Sequence, residues 1–220
     1  MQVFVEQVGE ERRPRALWRL VVQFSIFAVA SVLFTVPLAS LLYLFRTAGV
    51  APGGAGGLEL SPGSPALVPL SGAASLLAVL LSLWLAGRYL DKRPIRDFGL
   101  RINGGWWLDL GFGLALGAVL MTAVFLVQAG AGWVSVAGTY RSTVPDLPFS
   151  QAILIPAFAF LCIGVYEELL SRSYQLQNIA EGLNYPALGP KGAIVAAWII
   201  SSAFFGALHA VNPNATLIST

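Results

Sequence analysis

Charge is what this sequence has least of. Asp, Glu, Lys and Arg make up 11% of its 220 residues, where a soluble domain carries roughly 25%. The formal net charge of +2 leaves no basic surplus to neutralise a row of phosphates, which excludes a nucleic-acid partner. Cysteine occurs once, which rules out an intrachain disulfide framework and any multi-thiolate metal site. Histidine also occurs once, at His209. Hydrophobic residues, by contrast, make up 56% of the chain. A disordered tail or an ordinary cytosolic enzyme cannot have this balance. The composition is that of an integral membrane protein.

Crossing a bilayer as a helix takes roughly 20 apolar residues. Five stretches meet that length: residues 17–45, 67–85, 108–127, 149–179 and 193–210. The predicted fold is all-α, a polytopic transmembrane helical bundle of about five spans. Pro37 interrupts the first stretch as a tolerable kink. That stretch is too long for a signal-peptide core, and acidic as well as basic residues precede it, so no cleavage is expected. Residues 1–16 read as an N-terminal segment, and 17–66 as the first membrane helix followed by a Gly/Pro-rich external loop.

The basic residues give an orientation. Arg12, Arg13, Arg15 and Arg19 gather at the first span. Arg88, Lys92, Arg93, Arg96 and Arg101 lie between the second and third, against Asp91 and Asp97. Residues 47–65 contain no Lys or Arg, and 130–148 contain only Arg141. Cytoplasmic loops collect Lys and Arg, so the N-terminus is expected in the cytoplasm. Trp18, Trp106 and Trp107 stand where an interfacial aromatic belt would place them. Both basic runs read as topology signals in preference to sites for anionic lipid headgroups.

Only three charges fall deep inside an apolar stretch: Glu167, Glu168 and Arg172. Such residues must pair, change protonation state or line a wet cavity. Glu168 and Arg172 are four residues apart with the acid first, the favoured order for an ion pair on one helix face. Glu167 points about 100° away from that face, toward Gly164 and Ser171, with no cation within a turn. A carboxyl buried away from cations holds its proton more tightly than one in water, which suits general-base work near neutral pH. His209 ends the fifth stretch, one turn beyond Phe205 and on the same face. A Glu and a His from neighbouring helices can hold and deprotonate a water, or supply two ligands of a metal. Cys162 reads as a small packing residue, and Gly111, Gly113 and Gly117 as a strip for close helix contact.

Glu167-Glu168-x-x-x-Arg172 followed by Phe205-x-x-x-His209 resembles the first two motifs of the CAAX protease and bacteriocin-processing (CPBP) family, intramembrane endopeptidases related to the type II prenyl-CAAX protease. The stretch 91–100, Asp-Lys-Arg-Pro-Ile-Arg-Asp-Phe-Gly-Leu, is similar to bacterial members, as is His209 followed by Asn212 and Pro213. The resemblance implies that residues 67–220 form the protease domain. It implies that Glu167 and His209 are catalytic and activate the attacking water, with Glu168, Arg172, Phe205 and Asn212 in supporting roles.

The implied reaction is hydrolysis of a peptide bond in a membrane-associated peptide or protein, at the bacterial plasma membrane. No metal ligand and no cofactor is assigned, a divalent metal such as zinc being the alternative. The partners expected are the substrate and the lipid bilayer, with no nucleic acid. The family has a third motif, a second His with Asn or Asp four residues on, that would supply donors to the oxyanion. The sequence reaches Thr220 without it. The expectation is therefore that the chain is truncated at its C-terminus and inactive by itself. The alternatives are an inactive membrane scaffold or bacteriocin self-immunity protein of the same fold and, with less support, a carboxylate-lined proton or ion pathway. Straight antiparallel spans would put Glu167 and His209 at opposite faces, so residues 180–191 must extend beyond the membrane or the spans must be offset.

Overall fold

A computed structural model describes residues 5–8, 11–49, 67–142, 147–212 and 215. Most of the Gly/Pro-rich stretch 47–65, with Pro213, lies outside the described residues. Among the described residues five helical stretches are long and apolar enough to cross a membrane: Ala16–Phe45, Leu67–Asp91, Gly104–Gly130, Phe149–Leu183 and Gly189–His209. The protein is a multi-pass helical membrane protein.

The fold is all-α as expected, with one short two-stranded addition. β1 (Val5–Val8) and β2 (Glu11–Pro14) form an antiparallel pair within the N-terminal segment, with Val5 opposite Pro14 and Val8 opposite Glu11. The chain divides into two compact units, Met1–Gly99 with Ile155–Thr220, and Leu100–Leu154.

In the first unit α1 (Ala16–Thr47) runs through Pro37 unbroken and packs against α2 (Leu67–Ala86). α2 passes into a π-helical turn, Gly87–Asp91, which Lys92 ends in the left-handed region at φ 57°. The N–H of Arg93 closes that turn on the Gly87 carbonyl at 2.8 Å. Gly87 is required there, because a Cβ would meet the Phe98 ring at 2.8 Å and the Arg93 carbonyl at 2.9 Å.

The fourth stretch is not one regular helix. α4 (Phe149–Ala152) stops at Ile153, and α5 (Leu154–Glu167) starts afresh. The cause is Pro156, which has no N–H for the Ala152 carbonyl and clashes with it. A π-helical stretch, Glu168–Gln175, follows α5, and α6 (Leu176–Leu183) continues it. A turn through residues 184–188 then leads to α7 (Gly189–His209), with Pro190 in the first turn, where its missing N–H costs nothing. α6 and α7 pack together, and α6 also touches α1.

Small residues make the helix contacts. Ala74, Ala78, Ala86, Ala159, Ala193 and Ala197 are buried, while large apolar side chains such as Leu33 and Phe160 stay outside, as lipid-facing positions require. α6 comes closest to α1 at Gly182, where a Cβ would sit 2.8 Å from Cβ of Ala16, and α2 approaches α5 at Gly72, where a Cβ would sit 3.3 Å from the Ala159 carbonyl and 3.5 Å from Cβ of Cys162. Cys162 is buried and packs there as a small apolar residue.

In the second unit α3 (Gly104–Gly130) begins four residues before the apolar run, because Asn103 caps it. The Asn103 side chain accepts the N–H of Trp106 at 2.9 Å. Within this unit a Cβ at Gly111, Gly113 or Gly117 would meet nothing within 4 Å.

The charges depart most from expectation. Arg19 and Asp91 are fully buried, and Arg19 Nη1 lies 2.8 Å from Asp91 Oδ1 and 2.8 Å from Glu181 Oε2. Arg93 reaches the other oxygen of Glu181. Tyr174 donates its hydroxyl to Asp91 Oδ2 at 2.7 Å, and Arg13 donates to the Asp91 carbonyl at 3.1 Å. These basic residues were expected to serve as topology signals alone, and the structure corrects that. Arg13, Arg19 and Arg93 tie the N-terminal segment, α1, the end of α2 and α6 into one network. Next to them Gln23 of α1 donates to Ser82 of α2 at 3.1 Å, also buried.

Candidate active site

Glu167 is the last residue of α5, and beyond it the helix widens. The N–H of Leu176 bonds the Ser171 carbonyl, an i→i+5 step. Such π-helical insertions recur at functional sites. The Ser171 hydroxyl turns back to the Glu167 carbonyl at 2.7 Å. The Ser171 carbonyl accepts a buried hydrogen bond from the Ser201 hydroxyl of α7 at 3.1 Å. That bond fixes how far α7 slides along the π-helical stretch.

His209 stands two turns beyond Ser201, at the end of α7. Its Nδ1 lies 2.8 Å from the Phe205 carbonyl, and its ring centroid lies 4.4 Å from that of Phe205 at an interplanar angle of 40°. A carbonyl only accepts, so the tautomer assigned from this contact carries its proton on Nδ1. In the neutral ring Nε2 then keeps a lone pair. Nε2 is 3.8 Å from Glu167 Oε1, with the two side chains 37% and 29% exposed. The gap is longer than a direct hydrogen bond, and both atoms facing it accept.

The turn accounts for the pairing. The fourth helical stretch continues to Leu183, beyond the expected end at 179, and α7 starts at Gly189. Glu167 therefore lies about 24 Å from the turn and His209 about 30 Å, at the α-helical rise of ~1.5 Å per residue. Cα–Cβ bonds lean toward a helix's N-terminus, so on opposed helices the two side chains lean toward each other. The offset between the spans is taken up in this way.

The supporting residues divide. Glu168 and Arg172 do pair, with Arg172 Nε 3.6 Å from Glu168 Oε1, but their side chains are 65% and 54% exposed. The deeply buried charges are Arg19 and Asp91 instead. Phe205 holds the imidazole through its carbonyl and ring. Asn212 acts through its backbone, donating its N–H to the His209 carbonyl at 3.0 Å. Sequence reasoning missed Ser201 and Tyr174, both buried polar groups inside apolar stretches, which had to find partners.

Glu167 and His209 offer two donors to a divalent metal, and catalytic zinc is held by three protein ligands. Among the described residues no group of three His, Cys, Asp or Glu side chains comes together to hold a metal ion. The described donor set does not fit a catalytic zinc site.

The helices and this pair define a multi-pass membrane protein with a carboxylate–imidazole site where its fourth and fifth membrane helices meet. Residues 149–220 match the family model for type II CAAX prenyl endopeptidase, Rce1-like. The matched segment holds Glu167, Glu168, Arg172, Phe205, His209 and Asn212, the residues that carry the CPBP resemblance. It is roughly a third of the chain, and the family suggests CAAX intramembrane protease activity. No curated protein and no solved structure matches the chain.

Proposed function

We propose that this protein is an intramembrane endopeptidase of the bacterial plasma membrane, with a cytoplasmic N-terminus, that hydrolyses peptide bonds of membrane-associated substrates through a water activated by Glu167 and His209. One observation carries this reading: Glu167 Oε1 and His209 Nε2 face each other at 3.8 Å while Nδ1 is held by the Phe205 carbonyl. A water at roughly 2.8 Å from each atom would donate one O–H to the carboxylate and the other to Nε2. Glu167 takes the first proton as the water oxygen bonds the scissile carbonyl carbon, leaving a tetrahedral oxyanion. Collapse breaks the C–N bond, and the amine leaves with the proton that Glu167 accepted. His209 orients the water through Nε2 and shares its charge.

The test is cleavage of a fluorogenic membrane peptide by the full-length product of the reading frame in liposomes. Glu167→Gln and His209→Ala are each expected to lower the rate by about 10²–10⁴, the contribution of general acid–base catalysis. Cleavage at the parent rate by both variants overturns the mechanism.

A further inference from the structure

The cations at the end of α2 fall into two groups. Arg19 and Arg93 meet carboxylates, and Arg13 meets a carbonyl. Among the described residues neither Arg88 nor Lys92 has a carboxylate partner, and Arg88 lies only over the Tyr89 ring, 5.9 Å from its centroid. Both line a cleft of about 460 Å³ together with Trp84, Arg93, Pro94 and Ile95. Among the described residues no acidic side chain lines it. Lys92 is held there in the left-handed backbone region, φ 57°, which L-residues disfavour.

Position adds to charge. α2 spans 20 residues, about 30 Å, which is the thickness of the hydrocarbon core. The apolar stretch continues to Asp91, so Arg88 and Lys92 stand at its end, where long basic side chains reach headgroup depth. Trp84 lies in the last turn of α2 with 49% of its surface exposed, as an interfacial aromatic does.

We infer that this cleft binds the phosphate group of an anionic ligand, for which a phospholipid headgroup and free phosphate are the two sources. The Arg88 guanidinium offers a planar fork for two phosphate oxygens, and Lys92 adds a mobile point charge. Trp84 offers an apolar face beside them. The site is separate from the Glu167–His209 pair, and its test does not need catalysis.

The experiment is the thermal midpoint of the detergent-solubilised protein, titrated separately with short-chain phosphatidylglycerol, phosphatidylcholine of the same chain length, and inorganic phosphate. A saturable rise with phosphatidylglycerol alone assigns the site to a lipid headgroup. An equal rise with inorganic phosphate assigns it to free phosphate. Either result supports the site when Arg88→Gln and Lys92→Gly each weaken binding by about tenfold, the scale of one charge-assisted hydrogen bond. Lys92→Gly suits the left-handed backbone, so it removes the charge without endangering the fold. Lys191→Gln removes the same charge from an exposed position elsewhere and should leave binding unchanged. Equal responses to phosphatidylcholine and phosphatidylglycerol, or parent affinity in both cleft variants, overturn the proposal.

Discussion

Tyr174 donates its hydroxyl to Asp91 at 2.7 Å, and this bond ties the π-helical stretch that follows Glu167 to the end of the second span. Asp91 is in turn held by Arg19, which also reaches Glu181. Glu167, the carboxylate of the pair, thus sits on a helical stretch anchored at a distance by buried charge.

Breaking that anchor should be costly. Asp91→Leu leaves Arg19 without its fully buried counter-charge, and removing one partner of such a pair costs about 3–5 kcal/mol. Replacing both with apolar residues, Arg19→Met with Asp91→Leu, should cost less than either single change. Thermal unfolding of the four proteins of this cycle in detergent measures it, and additive losses would contradict the pairing.

Tyr174→Phe removes only the hydroxyl. The ring keeps its place beside Phe98, with centroids 5.4 Å apart. The expected loss is about 1.5–3 kcal/mol, the range for a hydrogen bond to a charged group. Denaturant titration checks it, and an unchanged midpoint would contradict the bond.

Ser201→Ala deletes the donor that fixes α7 on the π-helical stretch. Stability should fall by about 0.5–1.5 kcal/mol. Cleavage should fall more than this loss of folded protein explains, because His209 is positioned by the same register. A rate that follows the folded fraction alone would show that Ser201 has no positioning role.

Gly72→Leu forces a side chain into the contact with Ala159 and Cys162. Overpacking of this kind costs about 1–3 kcal/mol. A change at Gly111 to Leu, where a Cβ meets nothing within its unit, is the comparison, and its thermal midpoint should move less.

The five spans were legible because hydropathy is a local property, and backbone groups in a bilayer must bond within their own segment. The span ends were read less well. Asn103 starts α3 early, and Pro156 breaks the fourth stretch, through single-residue effects that an apolar run conceals. Glu167 and His209 could be picked out by type, as a carboxylate inside an apolar stretch and the one histidine. The buried network could have been suspected from Arg19, a charge at the start of the first apolar stretch, since a residue drawn into that stretch needs a partner. Its partners could not be named, because Asp91 and Glu181 stand 72 and 162 residues away.

The sequence by itself determined that the chain lies in a membrane, in five helical stretches, and which few polar residues are there to do chemistry. Only the tertiary structure decided which charges are buried. Glu168 and Arg172, neighbours on one helix, are exposed, while Arg19 and Asp91, on separate helices, are sealed from solvent. It also decided that Glu167 meets His209, through the length of α6, the turn at 184–188 and the Ser201–Ser171 bond. The physical reason is that helix formation follows from neighbours along the chain, whereas burial and pairing depend on which helices pack against each other and in what register.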